Sequence, residues 1–181
     1  MSLKRVARRG LCAGWLMALV ACVSPTPKPA GMPELPPPMT GRLLVKVDAS
    51  PQAPAQSISA AYELSGDEHH GQLVLLSPLG TRVADARWGP GSVSLSGPEG
   101  VRSYPDLQAL ARDSLGEDVP IAALTHWLAG RPWPAATSTP TANGFAQLGW
   151  SIDLSRWVEQ AQVEARRSEP PAVLVRARVD R

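Results

Sequence analysis

The sequence predicts an α+β domain in which antiparallel strands form a sheet and helices cover one of its faces. Three observations support this fold class. Between Gly41 and Tyr104, apolar and polar residues alternate with period two, as in strands that are buried on one side only. Two stretches in the middle of the chain then have the spacing of amphipathic helices. The alternation returns near the C-terminus, which places the helices between strands of one sheet.

The first two predicted strands, joined by a proline-containing loop, have the clearest alternation. Their buried face is expected to carry Leu43, Val45 and Val47, followed by Ile58, Ala60, Tyr62 and Leu64. A turn over residues 66–71 follows and contains the adjacent His69 and His70. Neighbouring residues on a strand point to opposite faces, and no third ligand is apparent. We therefore interpret both histidines as solvated turn residues and predict no metal site.

The stretch 72–88 predicts a hairpin whose arms meet at a Pro-Leu-Gly turn. The first arm is the apolar run Leu73–Leu76, and the second has Ala84, Ala86 and Trp88 on one face, opposite Asp85 and Arg87. Pro78 fixes one backbone torsion and Gly80 relaxes another, which leaves Leu79 at the tip with little to pack against. Single exposed leucines are common. The hairpin alone therefore leaves open whether Leu79 is a harmless surface residue or an apolar contact.

Two helices are predicted next. The first has Leu107, Leu110, Ala111 and Leu115 on one side, and the second has Ile121, Leu124, Trp127 and Leu128. Pro105 suits the first turn of the first helix, and Gly116 suits its end. The second helix is expected from Pro120 to about Ala129. Both apolar stripes should pack on the buried face of the sheet.

Further strands are predicted on both sides of the helices. Before them, Val93 and Leu95 alternate with serines, and a short strand covers Val101–Tyr104. After them, residues 131–143 contain three prolines and are expected to form a loop. One later strand is expected to carry Ala146, Leu148, Trp150, Ile152 and Leu154 on one face, and the last strand Val173, Val175, Ala177 and Val179. Residues 155–167 are ambiguous, and we expect part of them to be helical.

Residues 1–21 have the composition of a bacterial signal peptide, with basic residues before an apolar stretch too short to span a bilayer comfortably. Residues 19–22, LVAC, resemble the lipobox of bacterial lipoproteins, in which the thiol of Cys22 would carry the lipid. Neither Val23 nor Ser24 is the aspartate that commonly retains lipoproteins in the inner membrane. The outer membrane is therefore predicted. The alternative is an ordinary signal peptide with a chance cysteine.

Residues 22–38 contain seven prolines and are predicted to form an extended tether before a single domain over residues 39–181. At roughly 3.1 Å per residue in polyproline form, the tether would hold the domain about 40 Å from the bilayer. The two cysteines, Cys12 and Cys22, precede the domain, which therefore contains no disulfide or thiolate metal site. Four of the eighteen basic residues lie in the signal peptide. The rest of the chain has fourteen basic and sixteen acidic residues, and this lack of a basic excess argues against nucleic-acid binding.

No catalytic residue, metal or cofactor is predicted. The sequence lacks the nucleophile elbow of hydrolases, the His-Glu-x-x-His zinc motif and the phosphate-binding loop. His126, beside Trp127 on the second helix, is interpreted as a surface or half-buried residue. Acidic residues near the helices are interpreted as helix-end and solvated charges. We therefore predict that the protein is not an enzyme, with an enzyme of unrecognised type as one alternative.

Three short motifs occur in order along the chain. They are LLSPLG at Leu75–Gly80, VPI at Val119–Ile121 and WLAGRP at Trp127–Pro132. Together they resemble the LolB family of outer-membrane lipoprotein receptors, and the order and rough spacing match from Gly41 to about Trp150. The lipobox fits the same family. Two features differ: a proline-rich stretch replaces the family's amphipathic helix before the first strand, and the C-terminal strands look abbreviated.

The resemblance implies a strongly curved, unclosed antiparallel half-barrel whose helices cover a concave apolar face. The space between them would be a cavity for the acyl chains of other lipoproteins, received from a LolA-like periplasmic carrier and released into the outer membrane. Candidate cavity residues are Tyr62, Leu75, Trp88, Leu110, Leu124, Trp127 and Trp150, each of which could instead be ordinary core. In the family the matching turn is credited with membrane contact, which implies that role for Pro78, Leu79 and Gly80.

We expect a monomer that needs neither nucleic acid nor a cofactor. Each methylene buried contributes about 0.8 kcal/mol, so an acylated protein cannot cross water unaided and its carrier must offer apolar area. Transfer at this step needs no nucleotide, in agreement with the missing phosphate loop. The main alternative is an anchored envelope-assembly or interaction lipoprotein with a solid core and no cargo cavity.

Overall fold

The computed structural model describes residues 38–51 and 53–181. Within them, eleven strands and three helices are formed. The strands are β1 (Met39–Val47), β2 (Gln56–Gly66), β3 (Gly71–Leu76), β4 (Arg82–Gly89), β5 (Ser92–Gly97), β6 (Gly100–Tyr104), β7 (Ser138–Thr141), β8 (Gly144–Gln147), β9 (Trp150–Asp153), β10 (Gln162–Arg167) and β11 (Val173–Val179). Helices α1 (Leu107–Leu115) and α2 (Ile121–Trp127) lie between β6 and β7, and the short α3 (Trp157–Gln160) lies between β9 and β10.

All these strands belong to one antiparallel sheet in the order β6-β5-β4-β3-β2-β1-β11-β10-β9-β8-β7. The chain returns to the centre of the sheet at its end, because β11 pairs with β1 from Gly41 opposite Val179 to Val47 opposite Val173. The edge strands β6 and β7 are not paired with each other, so the sheet stays unclosed. The predicted α+β class with a curved, unclosed antiparallel sheet is confirmed. The C-terminal strands are not abbreviated: β10 has six residues and β11 has seven.

One hydrophobic core lies between the concave face of the sheet and helices α1 and α2. Its strand residues follow the predicted alternation and include Val45, Val47, Tyr62, Leu64, Val173, Val175 and Ala177. Leu110 and Ala111 of α1 and Ile121, Ala123 and Trp127 of α2 belong to the same core. Because alternate strand residues are buried, the opposite face of the sheet carries the polar and charged residues.

The ends of α1 follow from local sequence. The carboxylate of Asp106 accepts a hydrogen bond from the backbone N–H of Ala109 at 2.7 Å, as a helix N-cap does. Gly116 ends the helix with a φ of 71°, as predicted. Pro105 lies before the cap rather than in the first turn, because the aspartate that follows it takes the capping position.

The predicted strand with Ala146, Leu148 and Leu154 on its buried face is wrong. The chain folds back at Leu148 and Gly149, whose φ angles are 54° and 77°, and forms the β8–β9 hairpin. The residues that face the core are Phe145, Gln147, Trp150 and Ile152. Opposed residues of a hairpin share a face. A two-residue turn therefore changes which members of an alternating pattern are buried.

Two further segments differ from expectation. Residues 138–141 lie in the predicted loop but pair as β7, where Pro140 is tolerated because β7 is an edge strand. The ambiguous residues 155–167 contain the helix α3, as expected in part, followed by strand β10. His69 and His70 are exposed in the β2–β3 turn, where Asp67 accepts hydrogen bonds from both backbone N–H groups.

Candidate functional site

The loop between β3 and β4 is held by its own hydrogen bonds. The N–H of Ser77 donates to the carbonyl of Thr81 at 2.8 Å, and the N–H of Gly80 donates to the carbonyl of Ser77 at 2.9 Å. The hydroxyl of Ser77 accepts from the N–H of Thr81 at 3.2 Å. Gly80 has a φ of 78°, a torsion that suits glycine in three-residue hairpin loops. None of these contacts uses the side chain of Leu79.

Leu79 forms the tip of this loop and is 94% exposed, the highest fraction among the large hydrophobic residues that the structure describes. Pro78 and Gly80 on either side are also exposed. Since Gly80 takes the positive torsion, Leu79 is free of backbone strain. The loop thus presents an apolar side chain to solvent on a backbone whose geometry does not depend on it.

Asp85 stabilises the base of the same hairpin. It lies on the outer face of β4, as predicted, yet is only 4% exposed. Its carboxylate accepts hydrogen bonds from Gln72 at 2.8 Å, Arg82 at 2.9 Å and Arg87 at 3.2 Å. Burial raises the pKa of Asp85, but the hydrogen bonds from Arg87 and Gln72 outweigh burial, so this pKa lies below its ordinary value. The ionised carboxylate therefore links β3 to β4.

An apolar cavity of about 30 Å³ lies between α2 and the sheet. It is lined by Leu43, Tyr62, Leu64 and Leu73 of strands β1 to β3 and by Ile121, Leu124, Thr125 and Leu128 of α2 and its C-terminal end. We call these eight residues the α2 seam. The structure places two of the seven predicted cavity residues, Tyr62 and Leu124, in this seam.

The other five predicted cavity residues lie in the surrounding core. Leu110 of α1 and Trp150 of β9 are buried, and Leu75 of β3 is partly buried against the core. The indole N–H of Trp88 donates to a backbone carbonyl of the β2–β3 turn at 2.7 Å, so Trp88 fixes that turn. Trp127 is completely buried at the end of α2.

A buried polar network holds the C-terminal end of α2. The indole N–H of Trp127 donates to Oε1 of Gln147 at 2.8 Å. The same oxygen accepts from the backbone N–H of Trp133 at 2.9 Å, and Nε2 of Gln147 donates to the carbonyl of Trp133 at 2.8 Å. The ring centroids of Trp127 and Trp150 are 5.9 Å apart. Gln147 therefore ties α2 to β8 and to the loop after α2.

A second polar contact joins α2 to the β2–β3 turn. Nε2 of the half-buried His126 lies 2.9 Å from Oε2 of Glu68. A backbone N–H and the hydrogen bond with His126 hold the pKa of Glu68 below its ordinary value. At the other end of α2, Pro120 offers no side-chain cap. The helix is thus attached by polar contacts near its C-terminal end, while Arg167 of β10 holds Glu117 and Asp118 just before its N-terminal end.

Tyr62 is the seam residue with an unpaired polar atom. Its hydroxyl is buried and has no hydrogen-bond partner among the described residues. Burial, together with the nearby charge of Asp180, raises the pKa of Tyr62 to about 12, so the phenol stays protonated at neutral pH. Its ring lies beside Gly41, where an added Cβ would clash first with the backbone carbonyl oxygen of Arg178 and would also come within 2.9 Å of a ring carbon of Tyr62. A glycine at this position makes room for both the paired strand β11 and the ring.

Residues 39–169, from the first residue of β1 to the loop before β11, match the family model described as "Outer membrane lipoprotein LolB". The chain belongs to the LolB family. Similar proteins include the outer-membrane lipoprotein LolB of Bordetella petrii, 32% identical over 90% of this chain and 86% of the relative. Those of Thiobacillus denitrificans (29% identical, 82% and 81% covered) and Bordetella pertussis (35% identical, 80% and 76% covered) are also similar.

The match to LolB continues through β10, beyond the motifs on which the resemblance depended, and the family assignment from sequence is confirmed. The protein is an outer-membrane lipoprotein, as the lipobox and the residues after it predicted. The predicted lipidation residue Cys22 and the signal peptide lie outside the described residues. Among the described residues, no group of three or more His, Cys, Asp or Glu could hold a metal ion. No helix among them is long and apolar enough to cross a membrane.

Sequence reasoning identified two of the eight residues of the α2 seam as cavity residues and missed the other six. Leu43 and Leu64 were predicted on buried faces, but the sequence did not show which part of that face meets α2. The register supplies this information, because Leu64 lies opposite Leu73 and Gly41 lies opposite Tyr62. Counting outward from the turn at residues 66–71 would have paired Leu64 with Leu73. The approach of α2 to these residues has no such local signal.

Proposed function

We propose that this LolB-family protein is a monomeric outer-membrane receptor that accepts acylated lipoproteins from a LolA-like periplasmic carrier and inserts them into the outer membrane. The observation that carries the proposal is the α2 seam, an apolar space between a helix and a curved sheet. Its lining presents hydrocarbon only, because the hydroxyl of Tyr62 is buried and that of Thr125 donates to the carbonyl of Ala122. Such a lining suits an acyl chain better than a polar ligand.

The seam must open to receive cargo. Its volume of about 30 Å³ is close to the volume that one molecule occupies in liquid water. This volume is far too small for an acyl chain. We infer that α2 moves away from β1 to β3. Gln147 holds the C-terminal end of α2 through Trp127. The end near Pro120 has no side-chain cap, and we infer that it lifts once Arg167 of β10 releases Glu117 and Asp118, which it holds just before the helix.

The acyl chain itself can supply the free energy for this opening. Ten buried methylenes contribute about 8 kcal/mol at roughly 0.8 kcal/mol each. Exposing Ile121 and Leu124 costs about 1.5–3 kcal/mol for each side chain. The gain from the ligand therefore exceeds the cost of exposing two seam residues, and the seam closes again when the ligand leaves.

Delivery is proposed to involve the β3–β4 loop, with Leu79 touching the inner leaflet of the outer membrane. Burying one leucine contributes about 1.5–3 kcal/mol, which is too little to anchor a domain but enough to bias how it meets a bilayer. The lipid on Cys22 is proposed to supply the anchor. Leu79 is suited to contact because the fold gains no burial from it.

The test is uptake of a fluorescent fatty acid and of a triacylated lipopeptide by the purified protein. Leu124→Gln places an amide in the seam and should weaken retention of both ligands about tenfold, the equivalent of roughly 1.4 kcal/mol. Leu115→Gln is the matched control, because Leu115 of α1 is also half-buried against the core but lies outside the seam. It should change retention less than the first variant while costing similar stability.

Two results would contradict the receptor proposal. A wild-type protein that binds neither ligand would favour the alternative of an anchored interaction module with a solid core. Equal loss of binding in both variants would show that general destabilisation, not the seam, is responsible. In cells, depletion of the protein should cause other lipoproteins to accumulate in the periplasm.

Lipidation at Cys22 is tested separately by mass spectrometry of the membrane-extracted protein. We expect a mature chain that begins with an acylated Cys22, because residues 19–22 form the lipobox. A mature N-terminus at another residue would remove the proposed anchor and leave the seam proposal intact.

A further inference from the structure

The outer faces of β1, β10 and β11 form a basic surface at the centre of the sheet. Of the ten outward positions on these strands, five are cations and one is an acid. The cations, which we call the basic face, are Arg42, Lys46, Arg166, Arg176 and Arg178. Outside the signal peptide the chain has fourteen basic and sixteen acidic residues, so this excess is local.

Two cations of the basic face oppose each other without a counter-ion. Arg42 lies directly across from Arg178 in the β1–β11 register, and both are exposed. Among the described residues, neither makes an ion pair. Like charges at directly opposed positions destabilise a sheet. The fold gains nothing from this pair, whereas an external anion would relieve the repulsion.

The one acid within the basic face is already used. Glu164 accepts hydrogen bonds from Arg166 at 2.9 Å and from Arg176 at 2.7 Å. Four further acids lie at the margins of the face: Glu63 and Asp180 beside Thr40, Asp153 opposite Glu164 on β9, and Glu159 in a groove with Arg178. Among the described residues, none of these four makes an ion pair with a cation of the basic face.

The basic face begins where the membrane-linked chain enters the domain. Arg42 is three residues after Met39, the first residue of β1. Seventeen residue steps separate Cys22 from Met39, so the entry point stays within roughly 60 Å of the anchor at about 3.5 Å per residue. A linker of this length keeps the domain near the bilayer, which raises the effective concentration of headgroups, but sets no orientation.

We propose that the basic face binds anionic phospholipid headgroups of the membrane that anchors the protein and lays the outer face of the sheet on the bilayer. Leu44 and Leu174, half-buried at outward positions among the cations, give the face the mixed character of interfacial surfaces. The helix-covered concave face then points into the periplasm. Only this last consequence, access for arriving cargo, depends on the proposed receptor function.

The test uses full-length lipidated protein in vesicles of phosphatidylcholine, with or without phosphatidylglycerol. The proposed processing removes Cys12 and lipidates Cys22, which leaves no free thiol. Ser59→Cys, exposed on β2 opposite Leu44, then carries a dye at a single free thiol. A quencher on the headgroups reports whether the outer face lies on the membrane. We expect stronger quenching with phosphatidylglycerol, and loss of this difference at high salt.

Arg42→Gln/Arg178→Gln should lower the ratio of docked to undocked protein roughly 25-fold, at about fivefold per basic residue. Its thermal stability should equal or exceed that of wild type, because the opposed pair is removed. The control, Arg112→Gln/Arg131→Gln, removes the same number of charges away from the basic face, one in α1 and one after α2, and should dock normally. Arg112 pairs with Asp118, so any loss of stability in this control is measured separately.

Three outcomes would overturn the proposal: equal quenching in neutral and anionic vesicles, normal quenching by Arg42→Gln/Arg178→Gln, or loss of quenching in the control pair. Normal quenching combined with slower cargo transfer from the carrier would instead assign the basic face to an acidic protein surface. Failure of wild-type protein to bind acyl ligands would contradict the receptor proposal and leave the quenching result unaffected.

Discussion

Two hairpins at the same end of the sheet carry a leucine at their tip, but their backbones turn differently. In the β3–β4 loop, Gly80 takes the positive φ of 78° and Leu79 is 94% exposed. In the β8–β9 hairpin, Leu148 itself has a φ of 54° and is 47% exposed. Leu148 lines a surface groove of about 310 Å³ together with Pro120 and Trp150. Leu148 is partly covered by tertiary neighbours, whereas Leu79 is almost fully exposed.

This difference separates a structural residue from a candidate contact residue. A positive φ costs a residue with a side chain about 1–2 kcal/mol, so packing must hold Leu148 in place. Leu79 has no such strain and no such packing. The fold gains no burial from Leu79, and we therefore propose membrane contact for Leu79 and not for Leu148.

The largest expected effect comes from placing a charge at the Leu79 tip. Leu79→Glu should slow delivery of cargo to liposomes at least tenfold, because a charged side chain in the apolar layer costs about 2.5–3.5 kcal/mol. Leu79→Ala should slow delivery less. Thermal unfolding and cargo uptake should stay near wild type in both variants.

Leu148→Glu is the matched comparison for these variants. It should lower the free energy of unfolding by about 1 kcal/mol through lost burial, while delivery stays within twofold of wild type. If Leu79→Glu unfolds the domain, Leu79 is structural after all. If Leu79→Glu delivers normally, or Leu148→Glu slows delivery equally, the two tips do not differ in function.

A second prediction concerns the base of the β3–β4 hairpin. Asp85→Asn should lower the free energy of unfolding at pH 7 by about 1–3 kcal/mol, because it weakens charge-assisted hydrogen bonds from Gln72, Arg82 and Arg87. The pKa of Asp85 is lowered in the folded protein. Its contribution is therefore complete above the unfolded pKa near 4 and disappears as pH falls through the folded pKa.

Chemical denaturation of wild type and Asp85→Asn across this pH range checks the sign. The difference in unfolding free energy between wild type and Asp85→Asn should shrink on acidification. The control Glu99→Gln, at an exposed acid in the β5–β6 turn, should unfold with the same free energy as wild type. A difference that is constant with pH would mean that the charge of Asp85 does not stabilise the hairpin.

The smallest expected effects come from the turn glycines. Gly80 and Gly149 have φ angles of 78° and 77°, and an added Cβ would meet no atom within 4 Å at either position. Changing either one to alanine should therefore cost only the torsional term, about 1–2 kcal/mol, in equilibrium unfolding. A much larger loss in Gly149→Ala alone would show that the β8–β9 turn depends on contacts beyond its own backbone.

Local sequence was sufficient for one of these hairpins and not for the other. Pro78 restricts its own φ, and Gly80 permits a positive φ two residues later. The Leu79 tip could therefore be predicted without knowing its neighbours. Leu148-Gly149 lacks the Asn-Gly or Asp-Gly pattern of two-residue turns, and its leucine continued an apparent strand. The turn forms because Phe145, Gln147, Trp150 and Ile152 gain burial when the chain folds back.

The sequence by itself determined the α+β class, both main helices, the Leu79 tip and the membership in the LolB family. These depend on hydrophobic period, turn torsions and motifs, which act over a few residues. Tertiary structure decided the α2 seam, the burial of Gln147 and the opposition of Arg42 and Arg178. Those features join residues distant in sequence, and only the pairing of strands and the packing of α2 bring them together.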